Sequence, residues 1–176
     1  MSYKRIIILS LLLITFFSSS VSATVIISPD NTFSFELPDN WKLEPEGFLI
    51  KSTNGELLTD IDLPTEGIKS IDQISQLAKI IVGMGLGYSP TKEKFDLKGN
   101  SWTGIAQVMN DTKSKVADRI VIQFIAQHNQ QYKLFYLGLS KQQWQKNSEF
   151  YKDILKKLQF PISNKSSQSS SKKSLF

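Results

Sequence analysis

Arg119-Ile-Val-Ile-Gln-Phe-Ile-Ala-Gln-His-Asn-Gln-Gln-Tyr-Lys-Leu-Phe-Tyr-Leu-Gly-Leu139 is the stretch that decides the fold. Two runs, Arg119–Gln127 and Gln131–Leu139, flank the polar triplet His128-Asn129-Gln130, which suits the tip of a hairpin. Successive side chains of a strand point to opposite faces. In the first run Ile120, Ile122, Phe124 and Ala126 share one face; Val121 and Ile125 lie on the other, between Arg119, Gln123 and Gln127. A strand that is apolar on both faces needs cover on both. The pair therefore predicts the interior of an antiparallel sheet with a layer on each side.

Upstream of the hairpin, Ser101–Met109 predicts a further strand, with Trp102, Gly104, Ala106 and Val108 on one face. Near the start of the chain, Val25-Ile26-Ile27 is a short apolar run. Thr32–Leu37 then alternates strictly, with Phe33, Phe35 and Leu37 on one side. Pro38-Asp39-Asn40 is turn chemistry, and Trp41 follows it. Phe48–Ile50 reads as a strand, Asn54-Gly55 as a tight turn, and Glu56–Leu63 as the strand after it, closed by Pro64.

Two helices share one grammar. Ser70 can cap the first, with Gln73 three residues on. Ile71, Ile74, Leu77, Ala78 and Ile81 form its apolar stripe, and Gly83, Gly85 and Gly87 end it. Ser140 and Gln143 repeat the pattern for the second, whose stripe is Trp144, Tyr151, Ile154, Leu155 and Leu158 before the stop at Pro161. Strands, helix, strands, helix predicts one α+β domain with a mostly antiparallel sheet over residues 24–162.

The two ends read differently from this body. Lys4 and Arg5 precede an apolar stretch from Ile6 to Phe17, and Val21-Ser22-Ala23 supplies small residues at an exit site. That order predicts a cleavable secretory signal over residues 1–23 and a periplasmic or secreted product. The apolar stretch falls short of the roughly 20 residues a membrane span requires. From Ser163 the chain is rich in Ser and Lys, which predicts a disordered tail over residues 163–176. Its lysines could touch an anionic surface only weakly.

The net charge of +5 belongs to these ends. Setting aside Lys4, Arg5, Lys165, Lys172 and Lys173 leaves a body whose basic residues equal its 16 acidic ones. The body thus lacks the basic footprint that nucleic-acid binding requires. With no cysteine in the chain, disulfides, thiol nucleophiles and Cys-ligated metals are excluded.

The layout resembles the PsbP/Mog1-like superfamily, which includes DcrB-like exported bacterial proteins. Two places carry the resemblance: the corner Phe33-Ser-Phe-Glu-Leu-Pro-Asp-Asn-Trp41, and the closing hairpin followed by a helix ending in Tyr151-Lys-Asp-Ile-Leu-Lys-Lys-Leu-Gln-Phe160. The resemblance implies a central antiparallel sheet sandwiched between helices. It also implies docking on another protein without chemistry, since the superfamily includes a photosystem extrinsic subunit, a regulator that binds a small GTPase, and exported proteins. It brings no catalytic residues to carry over.

The residues themselves give no catalytic, cofactor or metal motif. His128 is the only histidine, and it falls in the hairpin tip, where a solvated turn residue is expected. Gly83-Met-Gly-Leu-Gly87 follows a helix, so its glycines meet the wrong end of the helix dipole for a phosphate. Asp60, Asp62 and Glu66 could surround a hard cation, but Pro64 breaks the calcium-loop pattern, leaving a solvated strand face as the expectation. The residues singled out for a partner or ligand are aromatic: Trp102, whose small neighbours leave either a filled hole or a groove, and Tyr132 with Tyr136, on one face of the last strand. The expected function is an exported, non-enzymatic accessory module that binds another protein. A carrier of a small apolar ligand near Trp102 and a hydrolase working with acids alone are the rivals.

Overall fold

A computed structural model describes residues 22–45, 47–62, 68, 70–81, 87–113 and 118–161. The expected signal up to residue 21, Pro64, Glu66, Gly83, Gly85 and the tail from residue 162 lie outside the described residues.

Among the described residues ten strands and two helices follow in the order β1 (Ala23–Ile27), β2 (Ser34–Pro38), β3 (Trp41–Leu43), β4 (Leu49–Ser52), β5 (Leu57–Ile61), α1 (Ile71–Ile81), β6 (Tyr88–Lys98), β7 (Thr103–Asp111), β8 (Arg119–His128), β9 (Gln131–Ser140), α2 (Lys141–Lys156) and β10 (Leu158–Gln159). Seven strands form one sheet in the order β3-β4-β5-β9-β8-β7-β6, and every pairing is antiparallel. A second, three-stranded sheet runs β1-β2-β10.

β8 lies inside the large sheet, between β7 and β9, and both of its faces are covered. On one, Ile120, Ile122, Phe124 and Ala126 join a core with Phe33, Phe35, Leu37, Trp144, Tyr151, Ile154 and Leu155. Phe124 stacks on Phe135 at 4.7 Å, and the Phe33 ring meets Phe135 edge-on at 5.0 Å. Each such fully buried ring stabilises the fold by about 1.5–3 kcal/mol. On the other face Val121 and Ile125 pack with Met109, Leu134 and Tyr136 beneath Ile74 and Ala78 of α1.

The helices alone do not cover the sheet. Phe33, Phe35 and Leu37 are at most 1% exposed; Phe35 and Leu37 reach the core from β2 of the β1-β2-β10 sheet and Phe33 from just before it, on the face shared with α2. An all-helical cover is thus corrected to one in which strands supply much of one layer. The physical reason is the strict alternation of Thr32–Leu37, which offers a full apolar face that can be buried only face-on.

Both helix starts follow the sequence. Ser70 Oγ accepts the Gln73 N–H at 3.3 Å. At α2 the capping box is complete: Ser140 Oγ accepts from Gln143 N at 3.1 Å, and Gln143 Oε1 accepts from Ser140 N at 2.8 Å. The hairpin tip is tighter than the triplet suggests. His128 pairs with Gln131, leaving Asn129 (φ 48°) and Gln130 (φ 63°) as a two-residue turn in the left-handed region.

Strand β6 had no sequence signal. Its stretch Tyr88-Ser-Pro-Thr-Lys-Glu-Lys-Phe-Asp-Leu-Lys98 carries Pro90 and a run of charges, and its register shifts between Pro90 and Lys94. It is an edge of the large sheet. Proline, charge and a bulge are the features that keep an edge strand from pairing further.

Candidate functional site

Where β8 turns into β9, a cleft of about 510 Å³ opens at one end of the large sheet. Three parts of the chain meet the hairpin there: Asn31-Thr32 before β2, the end of β5 at Ile61 and Asp62, and Phe160-Pro161 after β10. The hairpin itself contributes His128, Asn129, Tyr132 and Lys133.

His128 is a fixed wall of the cleft rather than the solvated turn residue expected. Its ring stacks on Phe160 at 4.7 Å and 3°. Its Nδ1 lies 2.7 Å from the Ser101 carbonyl, which can only accept, so Nδ1 carries the proton. Its Nε2 accepts from Asn129 Nδ2 at 2.8 Å. Both nitrogens are thus committed within the fold, and neither is aimed at a nucleophile.

Lys133 sits among three carboxylates: Asp62 at 3.3 Å, Asp60 at 3.6 Å and Asp30 at 3.9 Å. Its ammonium also lies 5.4 Å from the centroid of the Phe33 ring. The lysine occupies the centre that Asp60 and Asp62 would offer a metal ion. The cluster keeps an excess of negative charge, and Asp62 is almost fully exposed at the rim. Burial raises the Asp60 carboxyl above its ordinary value, with Asp62 adding to the effect and Lys133 only partly offsetting it. Burial acts the same way on Asp30, but hydrogen bonds from Ser28 and Thr32 and the Lys133 charge outweigh it, leaving that carboxyl below its ordinary value.

The aromatic residues chosen from sequence separate. Tyr132 is half-buried and lines the cleft; its hydroxyl accepts from Gln127 Nε2 at 3.3 Å. Tyr136, on the same face, is buried beneath α1 and donates to Gln123 Oε1 at 3.5 Å; burial drives its hydroxyl well above the usual range. Trp102 lies in the core on the opposite face, 3% exposed, and its indole N–H donates to the Leu158 carbonyl at 2.7 Å. A Cβ at Gly104 would run into the Ile125 carbonyl and the Trp102 ring. The ring thus fills the space left by its small neighbours instead of walling a groove.

Sequence reasoning passed over Lys133, Phe160 and the structural role of His128. The pairing Ile61↔Leu134 is what brings Asp62 beside Lys133, and β10 is what sets Phe160 against the hairpin. Both are long-range pairings that no local pattern announces.

No family model matches the sequence, and no curated protein does. Solved structures do match. The solution structure of cyanobacterial PsbP (CyanoP) from Synechocystis sp. PCC 6803 superposes with a TM-score of 0.60 at 6% identity, covering 82% of this chain and 96% of that one. The crystal structure of LpqN, involved in cell envelope biogenesis of Mycobacterium tuberculosis, superposes with a TM-score of 0.51 at 14% identity, covering 82% of this chain and 94% of that one. At such identities the likeness is one of fold: the chain has the PsbP-like fold that its opening corner and closing helix suggest.

Proposed function

We propose that this chain is an exported, non-catalytic accessory protein that docks a protein partner in the hairpin-end cleft. The observation that carries the reading is the state of the cleft's reactive groups. Both His128 nitrogens and the Lys133 ammonium are tied up internally, while the Tyr132 ring, the His128–Phe160 stack and the Asp62 carboxylate face outward. Half-exposed aromatic rings beside a charged rim suit recognition rather than bond-breaking. The acidic excess around Lys133 favours a partner segment with basic residues. The signal-like start, the PsbP-like fold and the envelope role of LpqN support an exported location. Among the described residues no helix is long and apolar enough to cross a membrane.

The test is capture from the exported fraction with four baits: the wild type, Tyr132→Ala, Phe160→Ala, and Phe150→Ala as a surface control. A partner held by the wild type and the control, but lost with both cleft variants, supports the reading. A partner held equally by all four, or none held by any, overturns it.

A further inference from the structure

A second cleft, of about 400 Å³, lies between α1 and the large sheet, away from the hairpin end. Asp72 and Ser75 come to it from α1, Lys94 and Asp96 from β6, Gln107 from β7 and Gln123 from β8. Lys94, Gln107 and Gln123 occupy one row across three neighbouring strands. Directly opposed residues in such a row hold their Cβ atoms about 4.5–5.5 Å apart.

The floor of this cleft is unusual for a sheet interior. Gln107 is 4% exposed, Gln123 2% and Ser75 8%, where the other face of the same strands carries Val108, Ile122 and Phe124. Burying an amide costs free energy unless its hydrogen bonds are met. Gln107 meets half of that requirement. Its Nε2 donates to the Thr91 and Glu93 carbonyls at 2.8 and 3.0 Å, filling the gap left by the β6 bulge. Those carbonyls can only accept, so the orientation of the amide is settled. Gln107 Oε1 is then buried without a partner among the described residues. Gln123 spends its Oε1 on Tyr136; its Nε2 and Ser75 Oγ make no hydrogen bond among the described residues, and both residues line the cleft, where these donors keep some accessible surface. Fold stability does not account for a buried acceptor left over beside two unengaged donors at one cleft.

The polar groups divide into two sets. Lys94, Gln123 Nε2 and Ser75 Oγ donate; Asp72, Asp96 and Gln107 Oε1 accept. Ile105 and Ile125 supply an apolar wall. We propose that this cleft binds a small zwitterion of the amino-acid type, its carboxylate on the donors and its ammonium on the acceptors. Two aspartates against one lysine favour a neutral or basic amino acid over an acidic one.

The experiment is titration of the ¹⁵N-labelled protein with glycine, L-leucine, L-lysine and L-glutamate singly, reading the side-chain NH₂ signals of Gln107 and Gln123. Acetate, methylamine and glucose serve as controls. Two variants accompany it: Gln123→Leu, which keeps the floor filled, and the surface change Asp72→Asn. The expected result is a saturable shift with the neutral and basic amino acids, weaker with glutamate and weaker still with acetate or methylamine. Each variant should lower affinity about tenfold or more, the share of one charge-assisted or desolvated hydrogen bond. No shift with any amino acid, a shift with glucose alone, or undiminished binding in both variants would overturn the proposal. The hairpin-end cleft lies elsewhere, so failure here leaves the docking reading intact, and the reverse.

Discussion

The Tyr151 hydroxyl donates to Glu56 Oε1 at 2.7 Å, joining α2 to the turn between β4 and β5. Both residues are buried, and no cation neutralises the carboxylate among the described ion pairs. Neutral donors hold it instead: Ser52 Oγ, and Gln143 Nε2 at 3.0 Å. The same Gln143 completes the cap of α2, so one polar knot fixes the helix start against the sheet. Tyr151→Phe leaves the carboxylate one donor short. It should cost about 1–3 kcal/mol, the penalty for an unmet buried polar group. Glu56→Gln should cost about as much, because an amide N–H₂ would replace an oxygen that receives a donor. Urea denaturation of both single variants and the double should show coupling; strictly additive losses would contradict the knot.

Tyr136 and Tyr151 give the fold an alkaline limit. Burial raises both hydroxyls, and for Tyr151 the Glu56 hydrogen bond and charge raise it further. A group whose folded value is raised contributes stability below its ordinary value of 10.0, and that stability is lost as pH rises beyond it. Stability should hold up to about pH 10 and fall above it, with late ionisation of these tyrosines seen at 295 nm. Ionisation of both at ordinary tyrosine pH with no change in the fold would refute their placement.

Asp30 and Asp60 share Lys133 yet should respond oppositely. The Asp30 carboxyl is lowered, so its contribution is present above the ordinary value of 3.8 and lost as pH falls through the folded value. The Asp60 carboxyl is raised, so stability is lost as pH rises from the ordinary value of 3.8 through the folded value, and above it ionised Asp60 opposes folding. At about pH 7, Asp30→Asn should destabilise by less than about 1 kcal/mol, since the site is half exposed. Asp60→Asn should be neutral or stabilising. Both differences should shrink towards about pH 3. Denaturant midpoints across that range decide it, and a destabilising Asp60→Asn would count against the account.

Gln130 holds a left-handed backbone at φ 63° without glycine's freedom. Gln130→Gly should stabilise the hairpin by about 1 kcal/mol, read as a higher Tm. Gly104→Ala should do the reverse, since its Cβ meets the Ile125 carbonyl across the β7–β8 pairing; a loss of about 1–3 kcal/mol is expected.

Much of this molecule was legible where the pattern was local. The two-faced apolar character of Ile120–Ala126 required cover on both sides, and the caps at Ser70 and Ser140 sit where the sequence puts them. What escaped was set at long range. β6 carries too few apolar residues to signal a strand, because an edge strand is shielded by charge and proline. The hairpin-end cleft depends on β5 pairing with β9 and β10 with β2, so the convergence of Tyr132, Lys133, Asp62 and Phe160 had no local trace. Large rings such as Trp102 and Tyr136 carry binding energy when exposed, but long-range packing buries both in the interior.

The most direct measurement places a photocrosslinking amino acid at Gln131, an exposed residue lining the hairpin-end cleft, and in a parallel sample at the exposed Phe150 on α2. Both proteins are irradiated in the producing cells. The account predicts a discrete adduct with one other protein from position 131, weakened by Tyr132→Ala and absent from position 150. No adduct from position 131, or the same adduct from both positions, would contradict it.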